Sequence, residues 1–210
     1  MRASNFRSRV SAVALLLVTA CTAGNQMAPD PEITPWPSPQ PGRCGDPYPD
    51  QRASPYVLPY AIGSTFNVGQ GNCTDESHDG DDAFAYDLDL PIGTPVVAAR
   101  AGRVLAVEGR YRDGNRTPGE ENYLTVGHDD GTVAEYFHLT YQGPGVAVGD
   151  QVQRGAVIAR SGDTGDSTEP HLHFQVDACA DCASMPITFR NTEAHPAGLA
   201  ESHLYRAERY

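Results

Sequence analysis

Two histidines one residue apart, in Pro170-His171-Leu172-His173-Phe174-Gln175-Val176, are the residues best suited to chemistry. In a strand, side chains alternate between faces, so His171, His173 and Gln175 project one way and Leu172, Phe174 and Val176 the other. The apolar set can join a core while two imidazoles stand side by side on the polar face. Neutral imidazole is the commonest protein ligand for zinc, and a rigid strand suits a preformed site. Alone, the pair reads equally well as two surface histidines on an edge strand. A metal site needs ligands from elsewhere in the chain.

Two further positions meet that need. Zinc accepts imidazole nitrogen and carboxylate oxygen, and a catalytic zinc keeps one position for water. Asp87 lies in Phe84-Ala85-Tyr86-Asp87-Leu88-Asp89-Leu90, a mostly apolar run in which a buried carboxylate requires a partner. A metal is one such partner; a salt bridge or an exposed strand position is the other reading. His138 lies in Glu135-Tyr136-Phe137-His138-Leu139, where period two puts it on the face of Ala134 and Tyr136. It reads either as part of the same site or as a hydrogen-bonded strand histidine.

The elements that must position these residues are short strands. Pro (17) and Gly (21) are both abundant, and no segment carries a long amphipathic helix. Apolar runs at 95–99, 102–107, 122–127, 132–139 and 151–160 are broken by turn residues, and His128-Asp129-Asp130-Gly131 is a hairpin signal. The expected fold is mainly β, a single compact antiparallel sheet or sandwich-like domain over residues 56–195. Residues 110–121 read as an exposed loop and 196–210 as a polar C-terminal tail.

Composition narrows the partners. The formal charge is −12 and every basic residue is Arg, which argues against nucleic acid. Residues 1–21 read as an export leader: Arg2, Arg7 and Arg9 precede an apolar run from Val10 to Ala20 too short to span a bilayer. Val18-Thr19-Ala20-Cys21 resembles a bacterial lipobox, which would make Cys21 the lipidated residue and anchor the chain to a membrane; ordinary cleavage near Ala20 or Ala23 is the alternative. Residues 22–55 are rich in Pro, Gln, Asp and Ser and read as an extended, disordered tether.

Four cysteines remain: Cys44, Cys73, Cys179 and Cys182. An even number in an exported chain favours disulfides, and four allow three pairings. The favoured pairs are Cys44–Cys73 and Cys179–Cys182, with a Cys-x-x-Cys metal or redox motif as the rival reading of the second. Asp79, Asp81 and Asp82 loosely suggest calcium but lack the ligand spacing of a calcium loop, and read better as a solvated acidic loop.

Taken in order, several blocks resemble the lysostaphin/LytM-type zinc metallopeptidases that cut peptidoglycan peptides. They are Asp87 ahead of Gly93-Thr94-Pro95-Val96, Ala99-Arg100-Ala101-Gly102-Arg103-Val104, His128-Asp129-Asp130-Gly131-Thr132 and Tyr136-Phe137-His138-Leu139. Val148-Gly149-Asp150-Gln151-Val152, Ser161-Gly162-Asp163-Thr164-Gly165 and Pro170-His171-Leu172-His173-Phe174 complete the series, from about Thr65 to Phe189.

The resemblance implies one zinc ion, with Asp87 and His173 as ligands and His138 and His171 as catalytic histidines outside the metal shell. It also implies an envelope location facing the cell wall, with a peptidoglycan peptide as substrate and cell-wall regulators as further candidate partners. The usual pattern places a ligand His four residues before the Asp, where this chain has Ala83. His78, nine residues before Asp87, is the expected third ligand, returned to the metal by a looped insert. The rival implication is a non-catalytic regulator that activates a cell-wall amidase. His128, His195 and His203 receive no catalytic role.

Overall fold

The computed structural model describes residues 34–210, so the expected export leader and the expected lipidation at Cys21 lie outside the described residues. Eight strands form one antiparallel sheet in the order β10-β1-β2-β9-β6-β5-β4-β7. They are β1 (Thr65–Gln70), β2 (Tyr86–Leu88), β4 (Gly102–Glu108), β5 (Tyr123–Gly127), β6 (Val133–Phe137), β7 (Gln151–Val152), β9 (Leu172–Asp177) and β10 (Leu204–Arg206). β3 (Pro95–Val97) and β8 (Val157–Arg160) pair as a second, two-stranded sheet. The fold is mainly β, as expected, and no α-helix occurs among the described residues.

Period-two patterning divides the large sheet into a dry face and a polar face. Tyr86, Leu88, Leu172, Phe174, Val176, Ala134 and Tyr136 are buried in one apolar cluster with Val96 and Ile158 of the smaller sheet and with Tyr56, Leu58 and Phe189. Residues between them in sequence (Asp87, His173, Gln175, Asp177, Glu135 and Phe137) therefore point the other way. Asp177, Gln175, Glu135, Phe137 and Asp87 come from three adjacent strands, so the register brings them side by side.

The hairpin predicted at His128-Asp129-Asp130-Gly131 joins β5 to β6. His128 N–H donates to Thr132 O (2.8 Å), and Gly131 takes the left-handed conformation (φ 90°) that the turn requires. His128 Nδ1–H donates to Ala101 O, a packing role.

Two stretches depart from expectation. The polar residues after 195 conceal a strand: β10 pairs with β1, burying Tyr205 and Ala207, and Tyr60 donates to Tyr205 O. Upstream, part of the segment expected to be a free tether lies against the domain. Trp36 packs edge-on against Tyr56 (5.7 Å), Gly42 N–H donates to Ser184 O, and a Cys44–Cys73 disulfide ties the segment to the loop after β1. The second disulfide joins Cys179 to Cys182.

Candidate metal centre

Asp87 in β2 and His173 in β9 are register partners, so the ladder holds them directly opposite each other. His173 Nδ1 lies 3.1 Å from Asp87 Oδ1. His78 arrives from the loop between β1 and β2, and its Nε2 lies 3.3 Å from the same oxygen. The loop folds back through a single 3-10 turn at Gly80–Asp82, with Thr74 N–H donating to His78 O and Cys73 N–H to Ala83 O. His78 is fully buried, and Ala83 packs into the apolar interior.

This donor set fits zinc. One atom from each of His78, Asp87 and His173 lies within 4.8 Å of the others. Tetrahedral bonds of about 2.0–2.2 Å would place ligand atoms roughly 3.3 Å apart, close to the two contacts on Asp87. Burial pushes the Asp87 carboxyl up, but hydrogen bonds from His173 and His78 outweigh it and hold the group well below the usual carboxylate range. Burial likewise disfavours a charged His173, yet Asp87 draws a proton onto it and raises its pKa. A site that gathers protons around one half-buried carboxylate would also favour a divalent cation.

His171 and His138 stand beside the cluster. His171 lies just before β9, with Nε2 3.7 Å from Asp87 Oδ1, and its ring centre is 4.5 Å from that of His138. The expectation that His138 shares the face of Ala134 and Tyr136 is overturned. β6 ends at Phe137, and His138 adopts a left-handed backbone (φ 58°) that breaks the alternation. A continued strand would have turned the ring into the core beside Tyr136. Instead it sits 6.0 Å from His173, ring centre to ring centre.

The unshared nitrogens are defined by hydrogen bonds. His78 Nδ1–H donates to Gly71 O, His138 Nδ1–H to Thr164 O and His171 Nδ1–H to Glu169 O. In His138 and His171 this leaves Nε2 without a hydrogen bond, whereas Nε2 of His78 meets Asp87 Oδ1. Burial, with the neighbouring His171 adding to it, pushes His138 down to about 4, so it is a neutral base at neutral pH. All these groups except His78 line an open groove of about 480 Å³, whose walls include Phe137, Gln175, Glu121, Glu135 and Asp166. The wall from the 110–121 loop is pinned by Arg116, which pairs with Asp163 and the Ser167 carbonyl.

Gln175 had no sequence-level role beyond sharing the polar face; its contact with His173 could be inferred only from their spacing. His195 is buried, accepting from Phe189 N–H through Nε2, and serves packing. His203 pairs with Glu193 at the surface.

The sequence profile of Peptidase family M23 matches residues 82–184. An uncharacterized metalloprotease of Buchnera aphidicola is 32% identical over 122 residues, covering 58% of this chain and 30% of that protein. The peptidoglycan DD-endopeptidase ShyB of Vibrio cholerae is 38% identical over 90 residues, covering 43% of this chain and 19% of its own length. Among solved structures, the antimicrobial peptidase lysostaphin from Staphylococcus simulans aligns with a TM-score of 0.46 and 31% identity, over 58% of this chain and 47% of that one. The chain thus spans under a third of these two curated relatives. It carries a Peptidase family M23 domain of the lysostaphin/LytM type.

Proposed function

We propose that the protein is a zinc-dependent endopeptidase that hydrolyses peptide bonds in peptidoglycan stem peptides or cross-bridges. One observation carries this reading: three donors that could hold a metal, two of them on the wall of one open groove, lie beside two more histidines of that groove whose Nε2 atoms make no hydrogen bond. His78, Asp87 and His173 would hold a single zinc ion, which would supply Lewis acidity towards a carbonyl and lower the pKa of a bound water towards ~7.

The chain's own contribution is proton handling and orientation. The Thr164 carbonyl keeps the proton on His138 Nδ1, so Nε2 can take one from the attacking water. The Glu169 carbonyl holds His171 in the same tautomer, facing Asp87. Between them the two rings accept the water proton, hydrogen-bond the developing oxyanion and protonate the leaving amine. Peptidoglycan is favoured as substrate by the likeness to a peptidoglycan DD-endopeptidase and by the export leader. We place the mature chain in the cell envelope, held to a membrane by lipid on Cys21 and facing the wall.

The test is to incubate the zinc-loaded protein with purified peptidoglycan and identify released peptides by mass spectrometry. Cleavage that disappears in a zinc-retaining His138→Ala variant supports the proposal. Stimulation of a cell-wall amidase without cleavage, unchanged in that variant, would support the regulator instead.

A further inference from the structure

His173 differs from the other three histidines of the site in how its far nitrogen is held. The rings of His78, His138 and His171 each donate to a backbone carbonyl, whereas His173 Nε2 faces a side chain, Gln175 Oε1, at 3.2 Å. Gln175 is itself oriented: its Nε2 donates to Asp177 Oδ1 (2.8 Å), which leaves only its oxygen to turn towards His173. The three residues occupy alternate positions of β9, on one face, and both Gln175 and Asp177 are buried. Strand carbonyls of β9 are committed to the ladders with β2 and β6, so none is free to meet an imidazole that lies on the face. A same-face neighbour two residues away can do so if it is long enough to span that gap, as Gln175 is.

We propose that Gln175 is a positioning residue of the metal centre, fixing His173 in the tautomer that carries its proton on Nε2 and presents Nδ1 beside Asp87. This rests on the reading of His173 as a zinc ligand. A neutral imidazole carries one proton, and an acceptor on the far side commits it there, leaving the near lone pair for a metal. Asp177 acts one step further out by setting which way the amide of Gln175 points. The carboxyl of Asp177 also hydrogen-bonds Glu135, so the chain from the metal centre runs His173, Gln175, Asp177, Glu135 across β9 to β6. Outer partners of this kind typically contribute 10–100-fold in metal affinity.

The experiment compares Gln175→Met, Gln175→Asn and Gln175→Glu with the parent protein and with His173→Ala. Zinc affinity is read by chelator competition, the His173 ring N–H by ¹⁵N-edited NMR of the zinc-loaded protein, and folding by melting of the metal-free form. Met removes the acceptor and Asn withdraws it by one methylene, so both should bind zinc 10–100-fold more weakly and lose the protected Nε2–H signal. Gln175→Glu keeps an acceptor at the same reach and should restore both readouts; it also carries the test should Gln175→Met fail to fold. Zinc affinity within twofold of the parent in Gln175→Asn, with the Nε2–H signal intact, would overturn the proposal. His173→Ala separates this from the underlying reading: undiminished zinc binding there would remove His173 from the metal shell altogether.

Discussion

Asp87 and His173 face each other across the β2–β9 ladder, with Oδ1 and Nδ1 3.1 Å apart. Backbone pairing, which the apolar residues on either side of each enforce, is what sets this distance. Tyr86 and Leu88 anchor one strand in the core and Leu172 and Phe174 the other, so neither functional side chain has to find its partner. His78, by contrast, depends on a loop.

Deleting either strand-borne ligand should therefore empty the site without unfolding the sheet. Asp87→Ala and His173→Ala should each lose zinc by elemental analysis and lose peptidoglycan cleavage, with the β-sheet circular dichroism signal retained. Zinc at one equivalent in either variant would mean that the metal sits elsewhere.

His138→Ala and His171→Ala should behave differently. Neither ring belongs to the three-donor cluster, so zinc content should stay near one equivalent while turnover falls by about 10²–10⁴-fold, the usual worth of acid–base help. Should His171→Ala release the metal, the roles within the His171/His173 pair would be reversed.

Much of this centre was legible in the sequence, and the limits are instructive. Strand alternation alone puts His171, His173 and Gln175 on one face, and the apolar neighbours of Asp87 mark it as a carboxylate that needs a partner. His138 defeated the same rule because a single left-handed residue at a strand end reverses the facing, and no residue type in Tyr136-Phe137-His138-Leu139 announces it. For the third donor the resemblance pointed to position 83, where this chain has Ala, and left His78 as the nearest candidate; its approach depended on how the 71–83 loop folds back. β10 was hidden because Leu204–Arg206 is only three residues long and one buried tyrosine is a weak periodic signal. Trp36, a Pro-flanked tryptophan, reads from sequence equally as docked on the domain or solvated, and its contact with Tyr56 joins residues with no shared element that could decide between them.

Asp177 predicts a pH dependence of stability. Burial, followed by the charge of Glu135, pushes its carboxyl up from 3.8 to about 8. Because the folded form holds this proton more tightly than the unfolded chain, the stabilisation is complete below about 4 and is lost as pH rises towards about 8. Asp177→Asn keeps an oxygen for the Gln175 amide and removes the charge. Its melting temperature should match the parent at pH 4 and exceed it at pH 8; even ~1 kcal/mol would give about 2–4 °C. Parallel curves across that range would show that Asp177 does not titrate there.

The leader makes a separate prediction. Expressed with its native leader in a bacterium that processes lipoproteins, the chain should mature to begin at Cys21 and carry lipid. Intact-mass analysis and detergent partitioning read this directly, and Cys21→Ala should release the protein from membranes. A mature chain starting at Thr22 or beyond would remove the anchor.

The two disulfides should matter unequally, and the metal centre should report the difference. Cys44–Cys73 joins residues 29 apart, whereas Cys179–Cys182 joins residues three apart. In the loop-entropy description the first is worth ~3–4 kcal/mol and the second nearer ~2 kcal/mol. Position sharpens the contrast. Cys73 opens the loop that carries His78, its N–H donates to Ala83 O where that loop closes, and Thr74 N–H holds the His78 carbonyl. Freeing Cys73 should loosen the one metal donor that no strand supports. The Cys44→Ser/Cys73→Ser variant should accordingly bind zinc more weakly as well as melt lower, and cleavage should recover when zinc is raised. Cys179→Ser/Cys182→Ser should melt slightly lower with zinc affinity unchanged, because its turn follows β9 at the end away from His173. Equal zinc affinities in the two double variants would show that the His78 loop is held by its own hydrogen bonds, without help from the N-terminal segment.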